Sequence, residues 1–189
     1  MGARLRRRAQ LAMARSATKE GSRRAAETPA ERAAARWIIR LGLLITALLV
    51  VRAFVLEPLR VDSDSMVPTL RPGSLVIVEK LTYRFGAPHR GDIVTTKDPR
   101  NDLDVVKRIV AVEGDWVGIE DGALVLNGHV VAEGATIDNT GMEGFFFGPD
   151  LVPEGHVFLL GDNRFTSSDS RAFGPIRVDA LAGRVLFEN

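Results

Sequence analysis

The longest apolar run in the chain is a stretch of twenty residues, WIIRLGLLITALLVVRAFVL, from Trp37 to Leu56. An α-helix of this length can cross the roughly 30 Å hydrocarbon core of a bilayer. Arg40 and Arg52 lie near its ends, where long basic side chains can reach the headgroups. A buried helix of a soluble protein is one alternative. A cleaved signal peptide is another, although no A-x-A-like site follows the run. The pattern predicts an uncleaved, single-pass membrane anchor.

Beyond residue 57 the pattern changes to short runs of β-branched and apolar residues separated by Gly, Pro and Asp, which is typical of strands. Asn127–Gly128, between two apolar runs, predicts a tight hairpin, and Asp121–Gly122 predicts another. There is no convincing helix, internal repeat or βαβ alternation here. We therefore predict an all-β fold: an antiparallel sandwich or partly open barrel behind one N-terminal transmembrane helix. The predicted strands lie within residues 74–81, 91–97, 103–114, 116–119, 123–131 and 156–161.

The net charge of +1 hides a strong asymmetry. Residues 1–36 carry ten Lys and Arg against three Glu, a net charge of +7, which leaves 15 basic and 21 acidic residues, a net charge of −6, for the rest. Such a basic tail suggests a nucleic-acid arm or a membrane-proximal segment, and the apolar run that follows favours the membrane. By the positive-inside rule the tail is cytoplasmic and residues 57–189 lie outside the cell membrane.

These patterns together predict three parts. Residues 1–36 form a disordered or weakly helical tail, residues 37–56 the anchor, and residues 57–189 a β-rich domain with a small inserted β region at about 116–153. We expect no nucleic-acid partner. The absence of cysteine excludes disulfides, thiolate zinc sites and a cysteine nucleophile.

Two polar segments stand out from ordinary turns: SDSMVPTLRPGS, from Ser63 to Ser74, and GDNRFTSSDSRAFG, from Gly161 to Gly174. Taken by composition, the first could be turn residues and the second a solvated loop. A serine nucleophile needs a base, and none of the three histidines lies in a pattern that would supply one.

Lys107 is the best-placed candidate base. It lies in the middle of a predicted strand, and the two-residue strand period puts Val105 and Ile109 on its face. Apolar surroundings disfavour the ammonium ion and lower the pKa of a lysine. An exposed strand lysine remains the alternative on this pattern alone.

Four segments together resemble the motifs of the type I signal peptidases, also called leader peptidases. They are SDSMVPTL, GDIV at 91–94, VVKRIVAVEGD and GDNRFTSSDSRAFG, and they occur in the family's order behind an apolar segment. The resemblance spans roughly residues 37–189. It implies a serine endopeptidase with a Ser–Lys dyad and no metal or cofactor.

The resemblance also implies individual roles. Ser65 is the expected nucleophile and Lys107 the expected general base. The main-chain N–H of Ser65 and the hydroxyl of Ser63 are the expected oxyanion donors, and Ser167 is expected to hydrogen-bond to the Lys107 amine and orient it.

Further residues are expected to support the site and the substrate. Asp169 and Arg171 should pair and hold their loop in place, and Asp162 should support the same site. The expected partners are the lipid bilayer and extended signal peptides with small residues at the third and first positions before the cut; the oligomeric state is left open. The candidate pocket residues are Leu59, Val61, Met66, Val105 and Val106.

Some features depart from the family pattern. Asp62 stands where proline is common, and AVEGD replaces the usual turn with Gly and Pro after the lysine. Three alternatives stay open: a specialised relative that matures a narrow set of precursors, a self-cleaving repressor-type protease, and a non-catalytic membrane-tethered β domain.

Overall fold

The computed structural model describes residues 29–187, so most of the predicted basic tail lies outside the described residues. Helix α1 runs from Pro29 to Phe54 rather than from Trp37 to Leu56. It begins earlier because the preceding Ala, Arg and Glu residues favour helix and because proline is well tolerated in a first helical turn. In length and composition α1 is sufficient to cross a membrane, and none of its residues is buried. The described residues divide into two compact units, with the boundary between Leu48 and Leu49.

The second unit is built mainly from antiparallel strands, and its short helices contain only four residues each. In chain order the strands are β1 (Leu56–Arg60), β2 (Leu75–Glu79), β3 (Ile93–Lys97), β4 (Asp104–Val112), β5 (Trp116–Glu120), β6 (Ala123–Leu126), β7 (His129–Val130), β8 (Phe147–Leu151), β9 (His156–Leu160), β10 (Ile176–Arg177) and β11 (Leu181–Phe187). The short helices are α2 (Thr82–Phe85) and α3 (Ser170–Phe173), and Val178–Ala180 form one 3-10 turn.

The strands form two sheets. Seven lie in the order β1-β2-β11-β3-β4-β9-β10, in a sheet that curls into an open half-barrel, and four form a second sheet in the order β7-β6-β5-β8. The prediction of an antiparallel all-β domain with one N-terminal apolar helix is confirmed. All six predicted strand segments contain a strand, whereas β1, β8, β10 and β11 were not predicted.

Both predicted hairpin turns are confirmed. Asn127 and Gly128 connect β6 to β7, with φ angles of 53° and 79°. Asp121 and Gly122 connect β5 to β6 with φ angles of 49° and 79°. Positive φ at both central residues is what a two-residue hairpin turn of this hand requires, and Asn, Asp and Gly tolerate it best.

Strand β4 is central to the packing because it contributes to all three apolar clusters of the domain. Val106 packs with Met66 and Val76, Ile109 packs with Leu159, and Val110 belongs to the cluster shared with the second sheet. A lysine in this strand is therefore carried by a well-packed element.

Strand β4 also has an open edge along part of its length. It pairs with β3 from Asp104 to Arg108, whereas its register with β9 begins only at Arg108. Among the described strands, none pairs with the second edge of residues 104–107, because the chain leaves the sheet after Leu160. The main chain next to Lys107 is thus available for another strand.

Candidate active site

The loop between β1 and β2 carries Ser65, and we call it the serine loop. It is anchored at both ends. The main chains of Val61 and Ser74 are hydrogen-bonded at 2.9 Å, which closes the base of the loop. Met66 and Leu70, which flank its central turn, are buried in the cluster that contains Val61. The apolar residues of this polar segment thus hold the serine in one place.

Ser65 and Lys107 meet in the interior. The Lys107 amine and the Ser65 hydroxyl are hydrogen-bonded, with Nζ and Oγ 2.6 Å apart. Ser65 is 6% exposed and Lys107 is 2% exposed. This is the contact that a lysine needs in order to take a proton from a serine.

Burial is the main influence on the Lys107 amine, and it lowers the pKa of Lys107 to about 8. Nearby charges oppose one another: the carboxylates of Asp169, Asp98 and Asp162 raise this pKa, whereas the Arg171 guanidinium lowers it. The sequence prediction that apolar surroundings lower the pKa of Lys107 therefore agrees with the structure in direction and in cause.

A second hydroxyl lies beside the first. The Ser63 Oγ and the Ser65 Oγ are 3.1 Å apart, and either can donate. The two hydroxyls are therefore close enough for both to reach one carbonyl group that approaches this point. Asp62 and Asp64, which flank Ser63, are exposed.

The loop that follows β9 packs directly against the serine loop. The Asn163 N–H donates to the Ser65 carbonyl oxygen at 3.0 Å. A Cβ atom on Gly161 would lie 2.2 Å from the Ser167 hydroxyl and 2.5 Å from the Ser65 carbonyl oxygen. Only glycine fits there, so the predicted motif brings its own main chain against Ser65.

Ser167 lies at this contact, but the predicted hydrogen bond to the Lys107 amine is not formed. The Ser167 hydroxyl is buried, and it has no hydrogen-bond partner among residues 29–187. A buried hydroxyl without a partner is costly. The Ser167 hydroxyl lies near the Ser65 main chain, beside Ser65 and Lys107, and it is able to donate or accept a further hydrogen bond.

Asp169 and Arg171 pair as predicted. The guanidinium donates through Nε and Nη2 to the two carboxylate oxygens, each at 2.8 Å, and Nη2 also donates to the Arg164 carbonyl oxygen at 2.6 Å. Asp169 accepts a further hydrogen bond from the Gly161 N–H at 3.0 Å. The pair therefore joins both ends of the loop.

Asp162 is fully buried and holds two elements at once. Arg108 donates to it through Nε at 2.8 Å and Nη2 at 2.6 Å, and the Thr69 hydroxyl donates at 2.5 Å. Arg108 follows Lys107 on β4, and Thr69 belongs to the serine loop. Asp162 thus connects the strand that carries Lys107 to the loop that carries Ser65.

Several of these contacts were not predicted. Arg108 and Thr69 lie inside predicted motifs, so their positions in those motifs were a usable signal. Asp98 and Arg100, which also form an ion pair, lie outside every motif. The sequence signal for this pair was the Asp-x-Arg spacing, which occurs at 98–100 and again at 169–171.

The candidate pocket residues separate into two groups. Val61, Met66 and Val106 are buried in one cluster and expose little surface. Val105 lies on the opposite face of β4 from Val106. Leu59 lines a cleft of about 70 Å³ together with Glu57, Val78, Lys80, Thr95, Asp104 and Ala182.

A larger cavity of about 480 Å³ lies between β4 and the β6–β7 hairpin, and Arg90, Arg108, Leu124 and His129 are among the residues that line it. Neither Ser65 nor Lys107 contributes to its wall. The dyad, rather than cavity size, therefore identifies the candidate site.

Comparison with known proteins gives a consistent result. The family model described as "Signal peptidase, peptidase S26" matches residues 34–188. A probable thylakoidal processing peptidase 2 of Arabidopsis thaliana is 42% identical over 151 residues, which cover 76% of this chain and 40% of the relative. Signal peptidase IB of Staphylococcus aureus is 34% identical over 166 residues, 80% of this chain and 86% of the relative.

The chain spans less than half the length of two plant relatives. It covers 40% of the probable thylakoidal processing peptidase 2 and 44% of thylakoidal processing peptidase 1, both of Arabidopsis thaliana. A crystal structure of a signal peptidase I from Enterococcus faecalis is 33% identical and has a TM-score of 0.46, with coverage of 53% of this chain and 97% of that chain.

Proposed function

The chain belongs to the signal peptidase family, peptidase S26, and from this premise we propose that it removes N-terminal signal peptides from exported preproteins. In this proposal it is a membrane-bound serine endopeptidase whose nucleophile is Ser65 and whose general base is Lys107. The observation that carries the proposal is the buried hydrogen bond of 2.6 Å between the Lys107 amine and the Ser65 hydroxyl.

The proposed reaction has two stages. Neutral Lys107 takes the proton of the Ser65 hydroxyl as Oγ attacks the scissile carbonyl carbon, and the resulting ammonium protonates the leaving amine. A water molecule then attacks the acyl carbon and gives a proton to Lys107, the ester bond to Ser65 Oγ breaks, and the Lys107 ammonium returns the proton to Oγ. No metal or cofactor takes part in these steps.

The negative charge on the tetrahedral intermediate needs fixed donors. We assign this role to the Ser65 main-chain N–H and the Ser63 hydroxyl, which lies 3.1 Å from the Ser65 hydroxyl. Loss of one oxyanion donor typically lowers kcat about 10²- to 10³-fold. Ser167, whose buried hydroxyl has no hydrogen-bond partner in the described part of the chain, is assigned to the lysine amine once the substrate is bound.

The substrate is proposed to bind in extended form along the open edge of β4. Residues 104–107 have unpaired main-chain groups on that side, and strand addition supplies main-chain hydrogen bonds. We assign a preference for small residues before the cut, as in the resemblance described above, to the surface beside this edge.

The domain organisation and topology are part of the same proposal. Helix α1 is the uncleaved anchor, residues 1–36 stay in the cytoplasm, and residues 57–189 lie outside the cell membrane. Protease added to right-side-out vesicles should digest the domain, and protease added to inverted vesicles should remove only the tail. The reverse pattern would overturn the topology.

The activity is tested with the full chain in detergent and a preprotein that carries an A-x-A site. The native protein should cut after the second alanine, and Ser65→Ala and Lys107→Ala should not. Ser74→Ala, in the same loop, and Lys97→Ala, an exposed lysine on β3, are matched controls that should cut normally. Full activity of Lys107→Ala would overturn the base assignment. No cleavage of several precursors by the native protein, with lipid added, would overturn the function.

A second candidate is a processing peptidase with a narrow set of precursors. The plant relatives named thylakoidal processing peptidases, 42% and 39% identical, favour it. A panel of precursors that differ only in their signal peptides separates the two: a general peptidase cuts most of them, and a specialised one cuts few.

A further inference from the structure

The turn between β3 and β4 contains a second carboxylate–guanidinium pair with the arrangement of Asp169 and Arg171. That first pair lies in the loop after β9, which we call the catalytic loop. Arg100 donates to Asp98 through Nε at 3.0 Å, through Nη2 at 2.6 Å and through its main-chain N–H at 2.9 Å. Arg171 makes the same three contacts with Asp169, at 2.8, 2.8 and 3.3 Å. The spacing, Asp-x-Arg, is identical, but the pair at 98–100 lies outside the family motifs.

The burial of Asp98 is not what a surface turn requires. Its side chain is 4% exposed, whereas the comparable Arg177–Asp179 pair is 67% exposed at both partners. Burying a carboxylate is costly even when it is paired. The main chain of Asp98 also closes the turn, because its N–H donates to the Leu103 carbonyl oxygen and its carbonyl accepts from Asp102. The carboxylate is therefore fixed beside the start of the strand that carries Lys107.

Arg100 reaches from this turn into the catalytic loop. Its Nη2 donates to the Ser168 hydroxyl, and its guanidinium lies 5.5 Å from the centre of the Phe173 ring. Ser168 stands between Ser167 and Asp169. The two Asp-x-Arg pairs thus hold the 167–169 segment from two directions. Arg171 contacts the main chain of the segment, and Arg100 contacts the Ser168 side chain.

The same pair contributes to the electrostatics of the site. The charged groups that act on the Lys107 amine are Asp98 from the turn and Asp162, Asp169 and Arg171 from the loop after β9. The hydrogen bonds from Arg100 are the largest influence on Asp98 and help to lower its pKa, and the charge on Lys107 lowers it further. Asp98 in turn raises the pKa of Lys107. The turn and the base are therefore coupled through charge as well as through contact.

We propose that Asp98 and Arg100 are positioning residues of the catalytic site, a second clamp that holds the 167–169 segment in place beside Lys107 through the Ser168 hydroxyl. The proposal rests on the peptidase function proposed above. Neither residue touches the substrate. Asp98 fixes Arg100, and Arg100 fixes the loop.

The contact is tested with the full chain in detergent and the A-x-A preprotein. Arg100→Gln and Ser168→Ala should each lower kcat about tenfold with KM unchanged, because each removes the same charge-assisted hydrogen bond. The double variant should be no slower than Arg100→Gln, since partners in one contact are not additive. Arg177→Gln, which breaks the matched exposed pair, should behave like the native protein.

The pH profile tests positioning against a general loss of structure. Asp98→Asn removes a negative charge near Lys107, so the acid limb of kcat/KM should move to lower pH. Arg100→Gln leaves the Asp98 carboxylate without its guanidinium, so the acid limb should move to higher pH. Opposite shifts would show that the pair acts on the Lys107 amine through charge, because unfolding lowers the amount of active enzyme without moving the limb in either direction. The contact with the Ser168 hydroxyl is tested by the double variant.

Three results would overturn the proposal: native kinetics for Arg100→Gln, losses that multiply in the double variant, or shifts of both acid limbs in one direction. Ser168→Ala removes one hydroxyl and no charge, so it carries the test independently of the stability of Asp98→Asn. If the native protein does not cut the preprotein, the proposed function fails; if it cuts and Arg100→Gln cuts equally well, only the clamp fails.

Discussion

The main-chain N–H of Asn163 donates a hydrogen bond of 3.0 Å to the carbonyl oxygen of Ser65, so the proposed nucleophile is held by the loop that follows β9. Asp162, the preceding residue, accepts from Thr69 in the serine loop and from Arg108 on β4. Two adjacent residues, Asp162 and Asn163, therefore connect the loop after β9 to the loop that carries Ser65 and to β4, which carries Lys107. A change at any of these contacts should be felt at the dyad.

Cleavage should become faster with increasing pH through about 8. Lys107 acts as a base only when its amine is neutral, and burial lowers its pKa to about 8. The measurement is kcat/KM of the native protein over roughly pH 6 to 10, on both sides of that value. A profile that is flat across this range would argue for a different base.

Lys107→Met should make the protein more stable at neutral pH while it abolishes cleavage. An unfolded lysine has a pKa of about 10.4, and that of Lys107 in the folded state is about 8. Between these values the unfolded state binds more protons, so the unfolding free energy of the native protein rises with pH. Below about pH 8 the amine is charged in both states, so the folded state bears the full cost of burying that charge.

Methionine carries no such penalty, so thermal unfolding of Lys107→Met at pH 7 should occur at a higher temperature than that of the native protein. Lys97→Met, at an exposed position, should lack this gain. A lower unfolding temperature for Lys107→Met would show that the hydrogen bond to Ser65 outweighs the burial of the amine.

Arg108→Ala should be strongly destabilising. It leaves the fully buried Asp162 carboxylate without its guanidinium, and an uncompensated buried charge costs about 3–5 kcal/mol. Urea unfolding measures the difference. Arg177→Ala breaks a pair that is 67% exposed, and it should have little effect because exposed ion pairs contribute little to stability. Equal effects of the two substitutions would contradict a structural role for the Arg108–Asp162 pair.

Gly161→Ala should impair both stability and cleavage. The added methyl group would lie 2.2 Å from the Ser167 hydroxyl and 2.5 Å from the Ser65 carbonyl oxygen, so the two loops would have to separate. Overpacking of this kind costs about 1–3 kcal/mol, and the displacement of Ser65 should lower kcat. Gly134→Ala is the control, because its Cβ would come no closer than 3.9 Å to Thr136. Normal kinetics for Gly161→Ala would mean that the loops are not tightly packed.

Part of the architecture was predictable because it depends on neighbours in the chain. The Asn127–Gly128 and Asp121–Gly122 turns follow from the backbone freedom of those residues, and the strands around them from alternation of apolar side chains. Strands β1, β8 and β10 were missed because their local sequence signal is weak. Pro58, the Gly148–Pro149 pair and the two-residue length of β10 remove the local signal, and these strands form because another strand offers hydrogen bonds.

The sequence by itself determined the all-β fold, the apolar N-terminal helix, and Ser65 and Lys107 as the candidate dyad, because motif order and the alternation of side chains on β4 are local properties. Only the tertiary structure decided that Asp162 pairs with Arg108, that the Ser167 hydroxyl has no partner among residues 29–187, and that Asp98 is buried with Arg100 extending to Ser168. Burial and contacts between distant segments depend on which segments the fold brings together, and neighbours in the chain do not specify that.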